Sequence, residues 1–285
     1  MESRQYEQDR YNQMKIYIPT FRRVDNQITF NTLPDKIKQN VIMVVQEQER
    51  EQYKYDCEYL IVDNNIGIAK TRELIYHHAG TNYFGMLDDD ITFYLRNSKY
   101  FKNEKSNMEM SKRVMTYEDW NNWFLEINNQ FNKSDIMHIG HRDTSIPPMN
   151  IRYLENVSQV VCGAHWIDGN KLTKFIDDVD WNYVQVGEDS ILTLECCMRG
   201  YRCLTSCEVV MERWKTAFDK GGCSEFRTAK LNEEEHIKLV KKYPFVYLTN
   251  NYDDVKNMGR MRKFFIDVKG AYESSEFKGT LKEFL

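Results

Sequence analysis

The sequence predicts an α/β fold, a mostly parallel sheet flanked by helices with a C-terminal elaboration. Three observations carry that expectation. Short apolar runs recur at residues 15–18, 41–45, 59–62 and 83–87, and continuous rather than alternating runs are how strands buried on both faces read. Helical or loop stretches separate them, which calls for crossovers between parallel strands. The last run leads straight into Asp88-Asp89-Asp90, and open α/β sheets gather ligands at the carboxyl ends of their strands.

The elements follow in order. Residues 1–13 are a polar extension, and the first strand stops at Pro19. Asn64-Asn65-Ile66-Gly67 turns after the third run, and residues 68–79 (IAKTRELIYHHA) form a helix ended by Gly80. Residues 97–115 are charged and lack periodicity, as a long loop would. Thr116 offers a helix N-cap, with Glu118 and Asp119 in the first turn. Trp120, Trp123, Phe124, Ile127 and Phe131 follow at helical spacing as a core stripe. Residues 157–167 read as a strand, and 169–178 as a turn and short helix. Val186-Gly187-Glu188-Asp189 opens a helix that Gly200 stops, and 201–211 returns as a strand. A glycine turn (Asp219-Lys220-Gly221-Gly222), a helix over 231–242 and a polar, basic tail complete the chain. No linker forces a boundary, so residues 14–285 read as a single domain with halves at 14–96 and 97–285.

Composition narrows the partners. A net charge of -4 argues against a surface coated for non-specific nucleic-acid binding. Local basic stretches nevertheless stand at 99–113 and 256–263. No apolar run approaches a membrane span, so a cytoplasmic setting without a membrane partner is expected. The seven cysteines suit reduced, partly buried thiols, and none forms the Cys-x-x-Cys pair of a zinc site.

Four stretches carry chemistry. Three adjacent acids cost free energy unless a cation compensates, and hard carboxylate oxygens suit Mn²⁺ or Mg²⁺. A solvated acidic turn is the bland reading of Asp88, Asp89 and Asp90. Glu188 and Asp189 either cap their helix or supply a general base. Pro19-Thr20-Phe21-Arg22-Arg23 ends the first strand, where an arginine could meet phosphate or simply be a surface charge. Gly67-Ile68-Ala69-Lys70-Thr71-Arg72 enters a helix, a setting that favours phosphate. Glycine is too sparse there for an ATPase or dinucleotide loop.

In chain order the four stretches resemble the nucleotide-sugar glycosyltransferases of the GT-A fold, family-2-like members above all. The motifs are IYIPTFRR, GIAKTR, the Asp-x-Asp strand end YFGMLDDDITF, and VGEDSILTLECCMRGYRC, together spanning residues 14–210. The resemblance implies a nucleotide-sugar site over residues 14–96, formed by Pro19, Thr20, Arg22, Lys70, Arg72, Asp88 and Asp89. It implies a metal on Asp88 and Asp90, and Asp189 as catalytic base with Glu188 beside it. The stretch 212–227 would close over the diphosphate, with Arg213, Lys215 or Lys220 supplying charge. Relatives often add a late metal-binding histidine. His236, in NEEEHIKL, reads instead as an exposed helix position.

The opening IYIPTFRRVDNQITFNTLP is similar to the glycosyltransferases of phages and base-J-forming eukaryotes. That likeness implies transfer from a UDP-linked donor to a 5-hydroxymethylpyrimidine in DNA, in a host cytoplasm if the chain is phage-encoded. A glycan, lipid-linked or protein acceptor is the alternative, and a nucleotide-sugar-binding protein without transfer activity the second. The sugar, the stereochemical outcome and the oligomeric state stay open.

Overall fold

The computed structural model describes residues 14–96, 112–149, 151–155, 162–213, 222, 227–255 and 259–275, with backbone alone at 250–255 and 259–263. The first strands are β1 (Lys15–Pro19), β2 (Val41–Gln46), β3 (Glu58–Val62), β4 (Tyr83–Leu87) and β5 (Ile91–Arg96). They are followed by β6 (Lys112–Val114), β7 (Ile136–Asp143), β8 (Tyr153–Glu155), β9 (Ala164–Asp168) and β10 (Arg202–Arg213). All ten join one sheet in the order β3-β2-β1-β4-β9-β7-β10-β5-β6, with β8 pairing β10.

The expected α/β architecture is present, and its parallel part is the block β3-β2-β1-β4. Past β4 the sheet is mixed. β9 runs antiparallel to both β4 and β7, whereas β7 and β10 are parallel. The runs at β1, β2 and β4 are buried on both faces, whereas the run at 59–62 is not: β3 is the edge strand of the sheet and leaves Ile61 53% exposed. Ile42 and Val44 of β2 join one core while Val41, Met43 and Val45 join the other.

Helices cover those faces. α1 (Ile28–Thr32) follows the first strand, and α2 (Gly67–Ala79) crosses from β3 to β4 and ends at Gly80. α3 (Tyr117–Phe131) starts at Thr116 with a capping box closed by Asp119, and its aromatic stripe is core as expected. α4 (Asp189–Met198) begins directly after the Gly187-Glu188 turn. α5 (Ala229–Lys242) packs against the first core through Leu239 and Tyr243.

Three sequence expectations change. β7 went unread because His138 and His141 interrupt its apolar pattern, yet both are buried at 0% and 4% exposure. Trp166 Nε1 donates to His141 Nε2 at 2.7 Å, so that imidazole is satisfied in the neutral form. The strand expected over 157–167 is seen as β9 from Ala164, and its first part lies outside the described residues. The polar tail is in fact structured. β11 (Val246–Val255) and β12 (Gly259–Ile266) form an antiparallel ribbon, followed by α6 (Val268–Glu273). Val246, Ile266, Val268 and Ala271 anchor it to the first core, a spacing hidden among charged neighbours.

Candidate active site

The acid turn is held by its backbone before any side chain acts. Asp88 N donates to Gly163 O at 2.7 Å where β4 meets β9. Thr29 of α1, fully buried, does the rest. Its hydroxyl donates to Asp88 O at 2.5 Å and accepts from Ile91 N at 2.8 Å, and its own N–H donates to Asp89 O at 3.1 Å. One side chain thus pins both ends of the turn.

The three carboxylates then diverge. Asp89 points inward, at 5% exposure. Thr20 Oγ1 donates to its Oδ2 at 2.7 Å and Arg23 Nη1 to its Oδ1 at 2.5 Å. Gln27 Nε2 in turn donates to Thr20 Oγ1 at 2.7 Å. The same Arg23 nitrogen reaches Asp90 Oδ2 at 3.0 Å. Asp88 faces the other way, with Oδ1 3.1 Å from Arg72 Nη2. Its side chain keeps 35% of its surface open, so a ligand can reach it.

Arg72 sits beneath, 6% exposed, and also meets Glu188 Oε1 at 2.8 Å. Burial opposes its charge, but Glu188, Asp88 and Asp189 together hold it firmly protonated. One guanidinium facing three acids leaves surplus negative charge. Burial, with Asp90 and Asp189 nearby, pushes Asp88 up to about 6 despite Arg72. Glu188 is pushed up for the same reason, burial first and the Asp189 charge after it. Asp89 also rises to about 6, burial outweighing Arg23 and Thr20.

Further side chains close on this centre. The Cys162 thiol hydrogen-bonds the Asp189 carboxylate, and burial together with that charge keeps it protonated. A Cβ on Gly163 would stand 3.2 Å from Asp88 Oδ2 and 3.5 Å from Arg213 Cδ. Gly163 therefore keeps the space between Asp88 and Arg213 clear. His236 is not the exposed position its neighbours suggested. It is 5% exposed and lies against Gly187, 3.8 Å from where a Cβ there would be. Burial lowers its pKa to about 4, so it is neutral.

The remaining sequence candidates are spread around this centre. Pro19 and Thr20 lie at the buried end of β1. Arg22 is exposed, at φ 55, and stacks on Phe21, while its N–H donates to Glu49 at 3.0 Å. Lys70 pairs with Glu73 at 2.9 Å on the flank of α2. Arg213 closes β10, 3.6 Å from Asp143. Lys215 and Lys220 lie outside the described residues. A cavity of about 690 Å³ opens where β1 and β2 end, lined by Arg22, Arg23, Asn26, Gln48, Glu49 and Gln52.

Sequence reading favoured Arg22, but Arg23 is the arginine that reaches the acids. It also missed Thr29, Cys162 and His236. The Thr-x-x-x-Leu pattern of TFNTL did contain Thr29. Nothing local marked Cys162, whose segment the pairing of β9 with β4 brings beside Asp88 and whose thiol meets Asp189 at the start of α4. Among the described residues no group of three or more His, Cys, Asp or Glu side chains is placed to hold a metal ion. Asp88 and Asp90 are nonetheless hard oxygen donors of the kind a divalent cation takes, Asp88 beside a glycine-cleared space and Asp90 paired with Arg23.

These observations meet a family match. The model of a glycosyltransferase family matches residues 14–222, the segment that carries the acid turn, Arg72 and the Glu188–Asp189 pair. The chain belongs to that family, the TET-associated glycosyltransferases. The match bears out the family resemblance carried by the four motifs. No curated protein sequence matches the chain significantly. Among solved structures it is similar to a mannosyltransferase from Pyrobaculum calidifontis in complex with GDP-Man and Mn²⁺. That pair has 10% identity and TM-score 0.44, covering 84% of this chain and 71% of the other. It is also similar to a putative glucose-1-phosphate thymidylyltransferase from Bacillus anthracis in complex with a sucrose. Here identity is 11% and TM-score 0.38, covering 70% and 88%. Among the described residues no helix is long and apolar enough to cross a membrane.

Proposed function

We propose that the chain transfers a sugar from a nucleotide-sugar to the hydroxyl of a 5-hydroxymethylpyrimidine in DNA, by a metal-dependent route. The observation that carries the reading is the convergence of Asp88, Glu188 and Asp189 on the single buried Arg72. The family's association with TET supports an oxidised pyrimidine in DNA as the acceptor.

The residues divide the work. Arg23 and the cavity at the ends of β1 and β2 would seat the nucleoside, with Thr20 and Asp89 fixing Arg23 from behind. Arg213, across the cleared space from Asp88, would meet the diphosphate. A Mn²⁺ or Mg²⁺ held by Asp88 and Asp90 would neutralise the diphosphate as it leaves. Asp189 would take the proton from the acceptor hydroxyl. The Cys162 thiol, donating to Asp189, and the ion-paired Glu188 would keep that carboxylate in place. The target base would have to leave the stack to bring its hydroxyl to Asp189.

The test is nucleotide release and base modification across a panel of nucleotide-sugars, with and without 5-hydroxymethylated DNA. Asp90→Ala should abolish transfer in a chain that stays folded. Full transfer by that variant with EDTA present would remove the metal from the mechanism. Donor hydrolysis that persists in Asp189→Asn would remove Asp189 as the base.

A further inference from the structure

Asp189 reaches the site on a loop with little structure of its own. Residues 179–188 form neither helix nor strand. Val184 is buried in the first core, which sets the depth of the loop but not its course. Gly187, at φ 85, turns the chain through a conformation that side chains rarely adopt. Glu188 follows and is tied to Arg72 at 2.8 Å, and α4 begins at Asp189.

A second tie lies upstream of the turn. Gln185 N donates to Glu235 Oε2 at 2.6 Å. Among the described residues it is the one hydrogen bond that the backbone of 184–188 makes outside its own loop and α4. Glu235 belongs to α5, past the end of the family match at residue 222. It is 2% exposed, and its Oε1 accepts from Lys238 Nζ at 2.7 Å. Its neighbours fix it further. His236 lies against Gly187 and is stacked on Phe264, with centroids 3.8 Å apart, and Leu239 is in the first core. Burying a carboxylate is a costly way to cover a loop, and apolar packing of the kind Val184 makes would serve as well. What a short, charge-assisted bond adds is direction.

We propose that Glu235 is a positioning residue for the reaction: through Gln185 it sets where Asp189 meets the acceptor hydroxyl. The inference rests on Asp189 as the base. It gives a role in the chemistry to a part of the chain outside the family-matched segment. The stake is distance, because a displacement of about 1 Å caused far from the reacting atoms can slow a reaction about 100-fold. Donor binding should be spared, since Asp88, Arg23 and the cavity beside β1 and β2 stand on other elements.

Two variants separate reach from charge. Glu235→Asp keeps the charge and draws the tie back by one methylene. Glu235→Gln keeps the reach and an acceptor oxygen but not the charge. Both are compared with wild type, well below their thermal midpoints, by nucleotide release from a panel of UDP- and GDP-hexoses. Each donor is tried with and without an oligonucleotide carrying 5-hydroxymethylcytosine. Glu235→Asp should lose about tenfold or more in kcat, with donor KM unchanged. Glu235→Gln should stay close to wild type in both. A merely structural role would lower the thermal midpoint and leave the kcat of the folded enzyme alone, so equal kcat in Glu235→Asp and wild type would overturn the assignment. Glu235→Gln as slow as Glu235→Asp would overturn it too, since the charge and not the reach would then matter. Wild-type kcat in Asp189→Asn would overturn the base reading and the inference with it. A wild type that releases nucleotide from no donor would overturn the transfer reading and, with it, the role of Glu235.

Discussion

Arg72 stands where several demands meet. It is buried, it is charged, and it faces more carboxylates than it can neutralise. Removing one partner from a buried ion pair is far costlier than never having built it, because the remaining charges stay desolvated. Arg72→Met should therefore lower unfolding free energy by about 3–5 kcal/mol in urea at pH 8. The loss should shrink at pH 5, where Asp88 and Glu188 take up protons. Asp88 supplies a second test. Its folded value of about 6 lies above the ordinary 3.8, so between those values the folded chain holds a proton that the unfolded chain has released. Stability from this carboxyl accordingly falls as pH rises from about 4 to about 6. Without divalent cation, the thermal midpoint of wild type should drop across that window relative to Asp88→Asn. Transfer should run the opposite way, rising through about pH 6 as Asp88 ionises into the form that would hold the proposed cation. A flat rate profile across that range would take Asp88 out of the reaction.

The elements explain why these side chains stand where they do. α1 is a single short helix, yet its Thr29 sets the backbone of the acid turn. Thr29→Val keeps the shape but leaves the amide of Ile91 without its acceptor. That should cost about 1–3 kcal/mol in urea unfolding. Because the turn presents Asp88 and Asp90, the donor KM should rise more than kcat falls. β4 and β9 meet equally closely. A Cβ on Gly85 would stand 2.5 Å from the Trp166 ring, itself packed against Trp120 and Phe124. Gly85→Ala should destabilise by about 1–3 kcal/mol through overpacking, measurable as a lower denaturant midpoint.

At the scale of the whole molecule, the two cores lie on opposite faces of one sheet, and the C-terminal unit belongs to the first. Leu239 and Tyr243 of α5 share that core with Ile191, Leu192 and Leu194 of α4. Tyr243 Oη also donates to Glu195 Oε1 at 2.6 Å. The chain past the family match should thus unfold together with the rest. Leu239→Ala should cost about 2–5 kcal/mol while tryptophan fluorescence and donor hydrolysis are lost in one coincident transition. Two separated transitions would mean that the C-terminal unit folds on its own.

The sequence by itself determined the class of fold and the place of the acid turn at a strand end. Buried parallel strands must be apolar on both faces, and a strand end is where a ligand-binding acid must stand, so both features were legible in residues 15–18, 41–45 and 83–90. Hydrophobic periodicity likewise located the aromatic stripe of α3. Only the tertiary structure decided which member of each motif faces the site. Neighbours in a turn point in different directions, and so Asp89 went inward with Arg23 while Asp88 went outward with Arg72. Tertiary structure also brought in Cys162 and His236, separated from Asp189 by long stretches of chain and joined to it only by strand pairing and helix docking. His236 is the plainest case. Its neighbours are charged, and its burial depends on Gly187 and Phe264, which no window of sequence around it contains.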